Sequence, residues 1–232
     1  MTAEPVIEHP RIAVRGEAYL EVDPEVARLV LTVTARGTDR RDAVTNLTRR
    51  NNTALELVKS YGDAVTHVET GAFSITPELS QRGRGERIRA YHGRVVLTAE
   101  ITDFTVLGEL TTRLADLDHT SVNGPYWQLT TNSPARRRAR QEAVRQAVAR
   151  AREYAEALGT TLTGVVDVAD IGADNTGAGA TVRGAAPPLF GAPPPPAGAA
   201  GAAAPPALDL EPRRQHVHAQ VNARFTMAPP TL

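Results

Sequence analysis

Nine of the chain's 17 prolines fall between Gly172 and Pro212, among glycines and alanines, and this stretch limits the possible folds more than any other feature. A segment so poor in large apolar side chains buries too little surface to offset the entropy of ordering it. It is therefore predicted as a long disordered Pro/Ala/Gly-rich internal loop over 172–212. Its expected anchors are Leu189-Phe190 and Leu208. Alternation resumes beyond it, where Val217, Ala219, Val221, Ala223 and Phe225 predict a strand within 213–227. The folded body is thus expected in residues 11–171, with one last strand returning to it.

Within that body the apolar period switches between two and about 3.6, which predicts an α+β fold of antiparallel sheets, built from β-hairpins and packed with helices. Apolar residues alternate loosely from Ile12 to Leu20, Val22-Asp23-Pro24 supplies a turn, and Leu29, Leu31 and Val33 share one face of the next run, so a hairpin is expected. Thr38 is the expected cap of a helix carrying Ala43, Val44, Leu47, Ala54, Leu55 and Val58 and ending at Gly62. A second hairpin is predicted from strands over about 65–76 and 88–101, joined by a polar turn with Gly83 and Gly85. Asp103 then caps a helix with Leu107, Leu110, Leu114 and Leu117 on one face, and a strand over about 121–131 holds Trp127. The best-marked helix has Ser133 as cap, Pro134 at its first position and Gly159 beyond its end. Its expected contact stripe is Val144, Val148, Ala151, Ala155 and Leu158, and a short strand over 165–169 follows.

Composition narrows the chemistry. Without cysteine the chain has no disulfide, thiol nucleophile or Cys-ligated metal. The 26 basic and 26 acidic residues cancel, leaving no global field to draw it onto nucleic acid or an anionic membrane, and nucleic acid is not an expected partner. Only 4 % of residues are aromatic, so Ala, Val and Leu must fill the core. No apolar run reaches the length of a transmembrane helix. Residues 1–10 carry Glu4 and Glu8 and have no basic start or apolar stretch of signal-peptide length, which makes the expected location cytoplasmic.

No catalytic, cofactor or metal site is assigned. His216 and His218 lie on one face of the last strand, but a solvated strand face accounts for them better than a shared metal. Gly83-Arg84-Gly85 is too short for a phosphate loop and suits a hairpin tip. Asp103 with Glu109, and Glu142 with Glu153, have no spacing that brings them to catalytic distance. Two dense basic clusters remain as candidate anion-binding residues and support an alternative reading, an anion or nucleic-acid binding module: Arg82, Arg84, Arg87 and Arg89 in the hairpin tip, and Arg136, Arg137, Arg138 and Arg140 at the start of the long helix. Cations near a helix N-terminus oppose its dipole, so an anion or a carboxylate would compensate the second cluster, and intersubunit salt bridges are a competing use.

The order of elements, together with several short patterns, resembles the SIMPL-domain family of bacterial proteins over about residues 11 to 227. Val14-Arg15-Gly16-Glu17 followed by Val22-Asp23-Pro24-Glu25-Val26-Ala27 is similar to the family's opening pattern. Asp42-Ala43 and Asn51, Val68-Glu69-Thr70 before Pro77, Tyr91, Leu107-Gly108-Glu109-Leu110, and Ala155-Glu156-Ala157-Leu158-Gly159 continue the match. The chain departs from it at Glu17 and Ala18, where a second glycine is common, in the shifted carboxylate order of Asp23-Pro24-Glu25, and in the length of its Pro/Ala segment. The resemblance implies a non-enzymatic protein that assembles with itself into a homo-oligomeric scaffold, ring or channel-like body. It also implies an envelope or periplasmic setting for some members, and no functional residue to carry over. The Pro/Ala-rich loop is a candidate docking segment for a protein partner.

Overall fold

A computed structural model describes residues 10–79, 87–170 and 208–230. Most of the segment predicted as an internal loop, and the glycines of the predicted hairpin tip, lie outside the described residues. The elements run β1 (Arg11–Val22), β2 (Val26–Gly37), α1 (Arg40–Lys59), β3 (Val65–Leu79), β4 (Ile88–Ile101), α2 (Leu107–Ala115), β5 (Thr120–Gln128), α3 (Pro134–Ala157), β6 (Leu162–Asp170) and β7 (Gln215–Met227). The fold is α+β, as the periodicities predict, with two antiparallel sheets. By their internal contacts these elements divide into two compact units, one holding β1, α3, β6 and β7 and the other β2 to β5 with α1 and α2.

The first correction to the sequence reading is the opening hairpin. β1 and β2 do not pair: β1 lies beside β7 in a sheet ordered β1-β7-β6, and β2 is a central strand of a sheet ordered β3-β4-β2-β5. The cause is visible in the side chains. β1 turns Val14, Gly16 and Ala18 inward, a shallow surface, whereas β2 turns Leu29, Leu31 and Val33 inward, each wholly buried. Strands with such different reliefs suit different helices, and the Asp23-Pro24 turn connects them without setting their partners.

In the four-stranded unit the register places Leu31 opposite Leu97 and Val33 opposite Val95. Leu47, Ala54 and Val58 of α1 and Leu107, Leu110 and Leu114 of α2 complete this core. Each fully buried leucine contributes about 1.5–3 kcal/mol relative to an exposed one. The cap of α1 is Asp39 rather than the predicted Thr38: the Asp42 N–H donates to Oδ1 of Asp39 at 2.8 Å, and the Thr38 N–H donates to Oδ2 of Asp42 at 3.1 Å. Asp39 satisfies the orphan Asp42 amide while the Asp42 carboxylate returns a bond to the residue before the cap, and the pair outdoes a single hydroxyl. Asp103 caps a short turn over Phe104–Val106 that leads into α2. The β3–β4 hairpin forms as predicted, with β3 running on to Leu79. Leu208, an expected anchor, lays its backbone on α2: its N–H donates to Oγ1 of Thr112 at 3.4 Å, and its carbonyl oxygen would lie 2.1 Å from a Cβ at Gly108.

In the three-stranded unit α3 starts and stops where its signals place it, with Ser133 accepting from the Ala135 N–H, Pro134 in the first turn, and Gly159 at φ 63° after the end. Its buried stripe shares Ala151 and Ala155 with the expected one but otherwise runs along alanines instead of Val144 and Val148. Ala135, Ala139, Ala143, Ala147, Ala151 and Ala155 are buried at every fourth residue, while Val144 and Val148 are half-buried beside them. Close approach selects alanine here: a Cβ on Gly16 would stand 1.9 Å from the Ala143 carbonyl oxygen and 2.8 Å from the Ala147 Cβ. Backbones this near leave no room for valine on the contact line.

Candidate functional site

Sheet coverage leaves one prominent apolar surface in the three-stranded unit. α3 runs along β1 and touches β6 only sparsely. β6 is an edge strand, and its Val165, Val166 and Val168 are 62 %, 43 % and 47 % exposed. Between β6 and the C-terminal half of α3 lies an open groove of about 570 Å³, lined by Val148, Leu162, Val165 and Phe225, by Thr160, Thr161 and Thr163, and by the charged Arg152 and Glu156. In the four-stranded unit the edge strand β3 exposes Phe73 to 60 %, opposite the buried Val95 of β4. Single exposed apolar residues are ordinary on protein surfaces, but three on one edge strand form a patch.

The predicted arginine clusters belong to different units. Arg82 and Arg84 lie outside the described residues. Arg87 and Arg89 are exposed at the start of β4, and Arg89 lines a recess of about 350 Å³ with Arg36, Thr38 and Asp42. That recess is poorly suited to an anion: Arg36 is held by Glu78 at 2.8 Å, and the Asp42 carboxylate shares the lining. Hydrogen bonding from Arg36, aided by His92 at 3.1 Å, pulls the Glu78 carboxyl below the usual carboxylate range. Arg136, Arg137, Arg138 and Arg140 are all exposed on the first turns of α3, which carries no acidic residue in its first turn. Among the described residues they make no side-chain hydrogen bond or ion pair.

The remaining candidates have other partners. His218 stacks on Tyr19 with ring centroids 4.3 Å apart, and both it and His216 are exposed. Among the described residues no group of three or more His, Asp or Glu side chains is placed to hold a metal. Asp103 accepts from Thr105, which holds its carboxyl below the ordinary range. Glu109 accepts from the Tyr61 hydroxyl at 2.9 Å, and burial, then that contact, pushes the Tyr61 phenol up. Glu142 pairs with Arg145 at 2.9 Å. Trp127 meets Phe104 edge-on at 5.0 Å, a core contact. Sequence reasoning did not single out Val165, Val166 and Val168, because a short apolar run does not disclose that its sheet face is uncovered.

Residues 12–225 match the SIMPL family, described as a protein of unknown function (DUF541). The chain belongs to the SIMPL family. Among curated proteins it is similar to the 26 kDa periplasmic immunogenic protein of Brucella melitensis biotype 1, with 27 % identity over 179 residues, covering 74 % of this chain and 69 % of the relative. The protein of the same name from Brucella abortus strain S19 matches with the same identity and coverage. Of the residues that carry the SIMPL resemblance, Gly16 and Gly108 have clear structural duties: Gly16 lets β1 meet α3, and Gly108 admits the Leu208 carbonyl to α2. Among the described helices none is long and apolar enough to cross a membrane.

Proposed function

We propose that this SIMPL chain is a non-enzymatic, self-assembling protein whose copies build a homo-oligomeric scaffold of ring or channel-like form. The observation that carries the reading is the large apolar surface left at sheet edges, above all Val165, Val166 and Val168 of β6. Edge strands with bare apolar side chains are a liability in a monomer and an asset in an assembly. Symmetric closure is the usual way in which identical chains cover such surfaces. Light scattering coupled to size exclusion tests the reading, with a discrete species well above the 24.8 kDa monomer as the expected result.

A second reading, anion binding, is favoured by one observation: the four exposed arginines at the start of α3, which have no acidic neighbour in the first turn. Binding of a phosphate-rich polymer that falls steeply with salt and disappears on changing Arg136, Arg137 and Arg138 to Ala would support it. The compartment is separately testable. The sequence reading expects the cytoplasm, whereas the relatives' name favours the periplasm, and protease protection in spheroplasts of the native host decides between them.

A further inference from the structure

We infer that the uncovered side of β6, together with the adjoining turns of α3, is a self-docking surface that buries against the same surface of a second copy across a two-fold axis. This rests on the reading of the chain as self-assembling and names the contact. The register supplies the first step. Leu162 stands opposite Met227, Val165 opposite Phe225 and Val168 opposite Ala223, so these β6 side chains share the face that β7 turns toward α3. On β7 that face is closed, with Ala223 and Phe225 at 2 % and 3 % exposure. One strand further out α3 no longer covers it, and Val165 and Val168 are 62 % and 47 % exposed. The sheet thus has an apolar face wider than the one described helix of its unit.

The occupant follows from two further features. The β6 ladder is irregular between Leu162 and Gly164 and again between Val165 and Asp167. Such breaks twist an edge and spoil it as a template for another strand, so side-chain packing on the face, rather than strand addition, covers it. The groove lining carries Arg152 and Glu156, one helical turn apart on α3 and both exposed. Neither makes an ion pair or side-chain hydrogen bond among the described residues. A two-fold axis through the groove brings Arg152 of each copy to Glu156 of the other while the valines meet between them. The surface is therefore complementary to itself in charge as well as in apolarity, as an isologous contact requires.

Three full-length proteins test this by light scattering and thermal melts: Val165→Asp with Val168→Asp, Arg152→Glu, and Glu156→Arg. All the positions are exposed, so each should keep a cooperative native melt, lower than the wild type only by what loss of the contact removes. The valine pair should shift the wild-type species to a smaller one. Each single charge reversal should raise the dissociation constant about tenfold by setting like charges together, and an equimolar mixture of the two should recover wild-type assembly as a hetero-oligomer. A wild-type oligomer left unchanged by the natively melting valine variant overturns this surface and leaves the self-assembly reading standing. A wild-type chain that is monomeric throughout overturns both.

Discussion

Gly16 is the residue on which the three-stranded unit turns, because the β1 backbone meets α3 there with no side chain between. A methyl group 1.9 Å from the Ala143 carbonyl forces strand and helix apart. Gly16→Ala should therefore cost at least about 1–3 kcal/mol in urea melts, the range for overpacking. Gly71→Ala is the control: its Cβ would meet nothing nearer than the Val96 carbonyl oxygen at 3.6 Å, and the change should stay within about 0.5 kcal/mol. A second residue-scale prediction concerns acid. Glu78 accepts from Arg36 and contacts His92, and its folded-state pKa is lowered. Its contribution to stability is then present above the ordinary carboxylate pKa and is lost as pH falls through the lower, folded value. Glu78→Gln should flatten that part of the acid limb, and an NMR titration should find Glu78 protonating below a model glutamate.

At the scale of elements, the correction at α1 gives a direct comparison of two neighbouring residues. Asp39→Ala removes a bonded cap and should cost about 1 kcal/mol, while Thr38→Ala, whose backbone alone joins the cap, should cost little. Thermal melts of the two variants check the assignment. The sequence made most elements legible because their signals are local: Ser133-Pro134 and Gly159 bracket α3, Leu107, Leu110 and Leu114 form one face, and Val217 to Phe225 alternate. Pairing was less legible because it is decided at a distance. Asp23-Pro24 looks the same whether it closes a hairpin or hands the chain from one sheet to another. The α3 stripe was legible at Ala151 and Ala155 but not at its valines, for a related reason. Valines outrank alanines as core formers when the helix is taken alone, and only the glycine of a partner strand makes alanine the better fit. The candidate arginines of α3 were legible as a cluster, but the bare face of β6 depends on where a helix stops covering a sheet, which no short pattern records.

For the whole molecule, a SIMPL chain whose sheet edges bare Phe73, Val165, Val166 and Val168 carries apolar surface that the described helices leave open. Self-assembly covers such surface without requiring any catalytic group, and it predicts stability that depends on protein concentration. Melting temperature should accordingly rise with concentration, and calorimetric scans over a hundredfold range would show it. The most direct test of the central claim is the mass of the native species on dilution, read by light scattering coupled to size exclusion. A discrete oligomer that keeps its mass into the submicromolar range is the predicted result, and a single species at 24.8 kDa across that range would contradict it.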